Sequence, residues 1–320
     1  MNDPSAQPVD IEEQRSWLID HRKATGMSWA EMAKRTGIAQ GTLSQFGSER
    51  GYRGDEQSVA QKVYRYRQLL VAQAQIQTEA PEVPGYFETE TSRRLIQLLN
   101  WGQRGRIVVA AMTPGTSKTT TARYFAACQS NVFLATMAPS TAGVVTMQIA
   151  LLKVFGQAGA RGTPQMLSEE IMRRVRDLQN PLLIFDEAQH LSERAIEEIR
   201  SWHDQTGVGV AFMGNVKVIQ RLEGANRESA FAQLFSRVSL KMVQTAPMQS
   251  DADALAAAWR VEGASEVGFI RKVSQMPGGL RSATMMIELA MMIAQSEKSP
   301  LAVDHLQDAW AQLSSRPVPA

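Results

Sequence analysis

The stretch Arg106–Phe125, RIVVAAMTPGTSKTTTARYF, decides the fold. Ile107 to Ala111 is an unbroken apolar run rich in β-branched residues, the pattern of a buried strand. Thr113 to Ser117 is rich in turn residues, and from Lys118 the pattern becomes helical. A strand, a tight loop and a helix in succession make a phosphate cradle. Loop amides and the helix N-terminus aim partial positive charge at one place, a lysine adds a full charge, and the next hydroxyl can ligate Mg²⁺. Lys118 and Thr119 fill those two roles, with Pro114, Gly115, Thr116, Ser117 and Thr120 as the other loop contacts. Measured against G-x-x-x-x-G-K-[ST], Met112 stands where the first glycine belongs and Ser117 where the second belongs. Glycine is used at such positions for close backbone approach or positive φ, which a side chain restricts.

Working outward, Pro181–Leu191, PLLIFDEAQHL, supplies the partner motif. Its apolar core Leu182 to Phe185 reads as a second buried parallel strand, and consecutive carboxylates fall at the C-terminal end, where open α/β sheets place ligands. Asp186 is the candidate metal ligand and Glu187 the candidate acid that polarises an attacking water. A further strand, Gly209 to Met213, ends at Gly214-Asn215, so that Asn215 can reach a terminal phosphate or orient the water. Asn131 to Met137 is another strand, and a helix is expected from Pro139 through Phe155. Trp202 and His203, on the helix Ser192–Gln205, are read as packing residues. The stretch Asn226–Arg237 reads as a helix carrying Arg227 near its start and Arg237 at its end. Arg237 is the candidate arginine supplied in trans to transition-state charge. From about Asp251 the chain is helical, and Arg281, after Pro277-Gly278-Gly279, can reach back across a cleft. The methionines at 285, 286, 291 and 292 are read as core filler.

The expected organisation is a helical domain over residues 1–72, a linker over 73–86 containing Pro81 and Pro84, an α/β core over 87–245 and a helical lid over 246–320. In the first domain Ser28–Phe46, SWAEMAKRTGIAQGTLSQF, has the shape of a helix-turn-helix, with Ser28 as cap and Gly37 in the turn. Its second helix would present Gln40, Thr42 and Ser44 to base edges or phosphates. A small helical protein-binding module is the alternative reading of the same pattern. Tyr64 and Tyr66 are assigned to that domain's core. In the α/β region Arg173, Arg174 and Arg176 form a basic stripe, either a solvated face or a surface for DNA phosphate, with Arg173 and Arg174 as the candidate contacts.

Bulk properties narrow the field. The chain has 320 residues, 44% of them hydrophobic and 21% charged, which fits a globular protein with a sizeable core. No apolar run reaches membrane-spanning length and the polar N-terminus lacks a signal-peptide core, so no membrane partner and a cytoplasmic protein are expected. A single cysteine, Cys128, excludes an internal disulfide and a cysteine-based metal site, and its apolar helix suggests a buried filler. A net charge of +2 does not by itself argue for nucleic acid.

The GTSKT loop, FDEA strand, GN tip, LFSR stretch and GGLR lid helix, in that order, give residues 87–312 a resemblance to AAA+ ATPases. With the N-terminal helix-turn-helix, nearly the whole chain resembles the MuB family of target-DNA activators of Mu-like transposable phages. The resemblance implies ATP and Mg²⁺ as cofactors and ATP-dependent self-assembly into helical filaments on double-stranded DNA with little sequence preference. It further implies delivery of that DNA to a DDE transposase, which is stimulated, in the cytoplasm of a bacterial host. Carried onto this chain, it assigns Lys118 and Thr119 to phosphate and Mg²⁺, Asp186 to the metal and Glu187 to the water. Asn215 becomes the first sensor, Arg237 the trans arginine and Arg281 the lid sensor. A replication helicase loader and a nucleotide-sensing DNA-binding regulator are the alternatives; a helicase of the DEAH kind needs two recombinase-like lobes, and the chain has room for one.

Overall fold

The computed structural model describes residues 9–48, 51–79, 81–216, 218 and 236–314. The chain divides into two units, one ending at Pro81 and one beginning at Glu82.

The first unit is all helical: α1 (Ile11–Thr25), α2 (Trp29–Thr36), α3 (Gln40–Phe46) and α4 (Glu56–Glu79). Ser28 and Glu31 form a reciprocal capping box at the start of α2, and Gly37 turns the chain with φ 68°. Met32, Ile38, Leu43 and Phe46 are buried against Leu18, Val59 and Val63, so the helix-turn-helix packs through the residues its spacing suggested. Gln40 and Ser44 are exposed and Thr42 half-buried. Tyr66 is buried, but Tyr64 is exposed on α4, which corrects its assignment to the core. Helix α4 continues into the stretch expected as linker, because Gln73–Glu79 are helix formers and the first proline comes only at Pro81.

The second unit is a five-stranded parallel sheet with a helical lid. Its strands are β1 (Ile107–Met112), β2 (Val132–Thr136), β3 (Leu182–Asp186), β4 (Gly209–Gly214) and β5 (Val238–Gln244), in the order β2-β3-β4-β1-β5. The central strands bury both faces, and their residues alternate between two cores as the period of a strand requires. Val108, Ala110, Leu182, Ile184 and Ala211 pack toward α5 (Glu90–Gln103) and α6 (Lys118–Cys128). Ile107, Val109, Leu183, Phe185 and Phe212 face the other side, with α7 (Val144–Val154), α8 (Pro164–Arg176) and α9 (Glu193–Thr206). On that side Trp202 is fully buried, its Nε1 donating to Ser168 Oγ at 2.6 Å.

Three differences from the sequence reading have local causes. Instead of one helix from Pro139 there is a 3₁₀ turn, Pro139–Thr141, and then α7, because Gly143 adopts an extended conformation between them. Strand β5 lies in a stretch to which no element was assigned, between the expected helix ending at Arg237 and the helices from Asp251; it is an edge strand, and its alternation in VSLKMVQ is half-exposed. Cys128, expected to be buried, is exposed at the last position of α6, on the outward face it shares with Tyr124. The expected helix Asn226–Arg237, with Arg227, lies outside the described residues except for Ser236 and Arg237.

The lid comprises α10 (Gln249–Ala258), α11 (Ala264–Ser274), α12 (Gly279–Ser296) and α13 (Val303–Leu313), closed around Leu255, Ile270, Met286, Ile287 and Trp310. Met286 is core, whereas Met285 and Met292 are exposed, so the methionine run fills the interior only in part. A fully buried carboxylate joins lid to core. Asp251 accepts from the backbone N–H of Thr91 (2.9 Å) and of Met248 (2.8 Å), and from the Thr91 hydroxyl. Gln244, at the end of β5, donates to the same hydroxyl at 2.7 Å.

Candidate functional site: a phosphate-loop cleft

The loop after β1 turns through Gly115 at φ 82° and enters α6 through Ser117 at φ 61°. Gly115 is required twice over. Its φ disfavours any side chain, and a Cβ there would lie 1.8 Å from the carbonyl oxygen of Gly278 at the foot of the lid. The two segments are also joined by Leu280 N–H donating to Gly115 O at 2.9 Å. Of the two departures from the glycine pattern, Met112 makes no unusual backbone demand: it is buried at the end of β1. Ser117 does occupy the left-handed region, at a cost of roughly 1–2 kcal/mol for a residue with a Cβ. Thr116 Oγ1 donates to Thr113 O at 2.8 Å and Thr121 Oγ1 to Ser117 O at 2.9 Å, tying both ends of the turn.

The parallel register carries the other candidates to the same edge of the sheet. Ala111 on β1 lies opposite Gly214 on β4, and β4 lies beside β3. Lys118 Nζ is 3.2 Å from Glu187 Oε1, and Thr119 Oγ1 donates to Asp186 Oδ2 at 2.7 Å. Asp186 is fully buried, and Glu187 directly after it is held at φ 55°. Burial pushes the Glu187 carboxyl up more than any single neighbour pulls it down. The hydrogen bond from Gln189, the charge and hydrogen bond of Lys118 and the charge of His190 together leave it below the usual carboxylate range. Lys118, Thr119 and Glu187 line a cleft of about 440 Å³ together with Asn215 and, from the lid, Arg281. A hydroxyl and a carboxylate bonded to each other beneath a lysine are the donor set that a Mg²⁺-phosphate group needs.

Pro84, Gly85, Phe87, Thr284 and Met285 also line this cleft. The sequence reading assigned the first two to a linker, although a Pro-Gly pair ahead of a helix is a turn signal that could have placed them. Gln189, between Glu187 and Asn215, was likewise passed over.

Three candidate arginines of this unit are not in the cleft. Arg237 pairs with Asp204 (2.7 Å) next to Val238, which lies opposite Ile107 at the N-terminal edge of the sheet. That edge is about 20 Å from the phosphate loop, six residues along β1 at about 3.3 Å each. Arg173 and Arg174 lie on α8 and share Glu170, Arg173 through two bonds of 2.9 Å and Arg174 through one of 2.6 Å. Arg174 also donates to Phe155 O at 3.2 Å and Gln157 Oε1 at 3.1 Å and lies over the Phe155 ring. Its guanidinium is a half-buried clamp at the α7–α8 corner, whereas Arg173 is exposed. Among the described residues no cluster of His, Cys, Asp and Glu forms a further metal site, and no helix is long and apolar enough to cross a membrane.

Comparison with known proteins adds four findings. The AAA domain model matches residues 102–222, and the model for the Mu B transposition protein, C terminal, matches residues 236–313. The ATP-dependent target DNA activator B of Escherichia phage Mu is 31% identical over 297 residues, covering 92% of each chain, and its counterpart in Escherichia phage D108 gives the same figures. The Mu-like prophage FluMu DNA transposition protein B of Haemophilus influenzae is 30% identical over 83% of this chain and 92% of its own. Among solved structures, domain III of the Thermotoga maritima replication initiation protein DnaA aligns with a TM-score of 0.47 and 11% identity, over 70% of this chain and 91% of that one.

Proposed function

The chain belongs to the family of Mu B transposition proteins, and on that premise we propose that it is a Mg²⁺-dependent ATPase that assembles with ATP on double-stranded DNA. It forms head-to-tail helical filaments with little sequence preference, in the cytoplasm of a bacterial host, and delivers the bound DNA to a DDE transposase that it stimulates. The observation that carries the ATPase reading is the meeting of Lys118, Thr119, Asp186, Glu187 and Asn215 at one edge of the sheet under Arg281.

Bound Mg²⁺ would be held by Thr119 and Asp186 and would neutralise charge on the phosphates. Lys118 binds the phosphate oxygens, leaving Glu187 for them. Glu187 then takes a proton from the attacking water, and Asn215 orients that water or the terminal phosphate. Arg281 contacts nucleotide from the lid. Arg237 cannot reach its own cleft, so it serves the cleft of a neighbouring subunit. DNA is held through phosphates, with Arg173 and the exposed Gln40 and Ser44, beside Thr42, as contacts; such binding weakens steeply with salt and tolerates sequence.

Negative-stain microscopy of the protein on random-sequence duplex DNA tests this reading. Filaments are expected with ATP and absent with ADP or without nucleotide. Lys118→Ala should abolish them by removing the phosphate charge. Isolated particles of the unaltered protein in all three conditions would refute ATP-dependent assembly.

A further inference from the structure

We propose that Gln189 is a positioning residue that ties Glu187 to the tip of β4, so that the placement of the acid follows the strand that carries Asn215. The inference rests on the reading of Glu187 as the base that takes the water's proton. Gln189 lies in the middle of a 3₁₀ turn, Ala188–His190, whose first residue is buried and whose His190 N–H is bonded to Glu187 O at 3.0 Å. The turn aims the carboxamide back over the strand ends. Its Nε2 donates to Glu187 Oε2, and its Oε1 accepts from the backbone N–H of Asn215 at 3.4 Å.

Only this orientation of the amide satisfies both neighbours, since a carboxylate accepts and a backbone N–H donates. The strand tip leaves space for it. A Cβ at Gly214 would lie 2.2 Å from Gln189 Oε1, so the glycine at the tip of β4 makes room for the carboxamide. The two oxygens of Glu187 therefore have different partners. Oε1 is held by Lys118, which has phosphate as an alternative partner, whereas Oε2 is held by Gln189, whose other end is bonded to the backbone at the tip of β4. When Lys118 turns to phosphate, Oε1 is released toward the water and Gln189 keeps the carboxylate in register through Oε2.

The test uses the full chain with two substitutions. Gln189→Met keeps the length and packing of the side chain and loses both hydrogen bonds; Gln189→Glu keeps an acceptor for Asn215 and places like charge against Glu187. In Gln189→Met, kcat for ATP hydrolysis with duplex DNA should fall at least about tenfold, while the Kd of a fluorescent ATP analogue stays within about twofold. The loss should vanish in a Glu187→Gln background. Amide exchange at Asn215, measured on the protein without nucleotide, should be several-fold faster in Gln189→Met and unchanged in Gln189→Glu, although both lose turnover. Unaltered turnover in Gln189→Met, a Kd rising in step with the loss of kcat, or unaltered Asn215 exchange in Gln189→Met would each overturn the proposal. Absence of ATP hydrolysis by the unaltered protein would refute the ATPase reading instead, and the exchange result would still decide whether Gln189 holds the strand tip.

Discussion

Ser117 carries the cost of a phosphate loop built without its second glycine. A serine at φ 61° gives up roughly 1–2 kcal/mol relative to an unstrained residue, and glycine recovers most of it less its own entropy of ordering. Ser117→Gly is therefore expected to raise stability by about 1 kcal/mol in urea denaturation; a loss of stability would mean that the hydroxyl makes up for the strain. Glu170 allows a second test at this scale. Hydrogen bonds from Arg173 and then Arg174 outweigh a small opposing effect of burial and bring its carboxyl down to about 2 from an ordinary 4.5. A carboxylate depressed in the folded state stabilises above the unfolded value and loses that contribution as pH falls toward the folded one. The difference in urea midpoint between the unaltered protein and Glu170→Gln should thus be constant above about pH 4.5 and shrink to nothing near pH 2. The pair lies at the surface, with Glu170 half-buried and Arg173 exposed, so the difference is small and should diminish in salt. Glu187→Gln belongs here too. It keeps the shape of the side chain and removes the base, so nucleotide binding should persist while turnover falls by at least about a hundredfold. Normal turnover would move the role to another residue.

At the scale of elements, a buried carboxylate is one tie at the junction between sheet and lid. Asp251→Ala leaves the Thr91 hydroxyl and two backbone N–H groups short of a partner, at an expected cost of about 2–4 kcal/mol. The melting temperature should fall accordingly, and an unchanged value would show that the lid is held by its other contacts, among them Leu280 N–H to Gly115 O. This junction was not legible in the sequence, because Asp251 and Thr91 are 160 residues apart and neither belongs to a recognisable pattern. The phosphate loop, the Asp-Glu strand and the helix-turn-helix were legible, since each depends on local periodicity and turn chemistry. Strand β5 was missed for the opposite reason. An edge strand hides less of itself, so VSLKMVQ mixes apolar and polar residues where β1 and β3 do not. Gln189 was missed because its role depends on the register that sets β4 beside β3, which no single stretch reveals.

For the whole molecule the decisive fact is that the sheet has two ends with different equipment. Lys118 and its companions stand at the C-terminal edges of the strands, and Arg237 stands at the N-terminal edge of β5, about 20 Å away. On the proposed role of Arg237 in a neighbour's cleft, a head-to-tail row would join subunits without closing on a pair. A row of n subunits would then contain n − 1 finished clefts, because the last has nobody behind it. Two subunits would work at half strength per subunit, and a long row at nearly full strength. Specific activity would therefore climb with row length even though no subunit changes shape, and the unfinished cleft would always lie at the same end, which would give the row a direction.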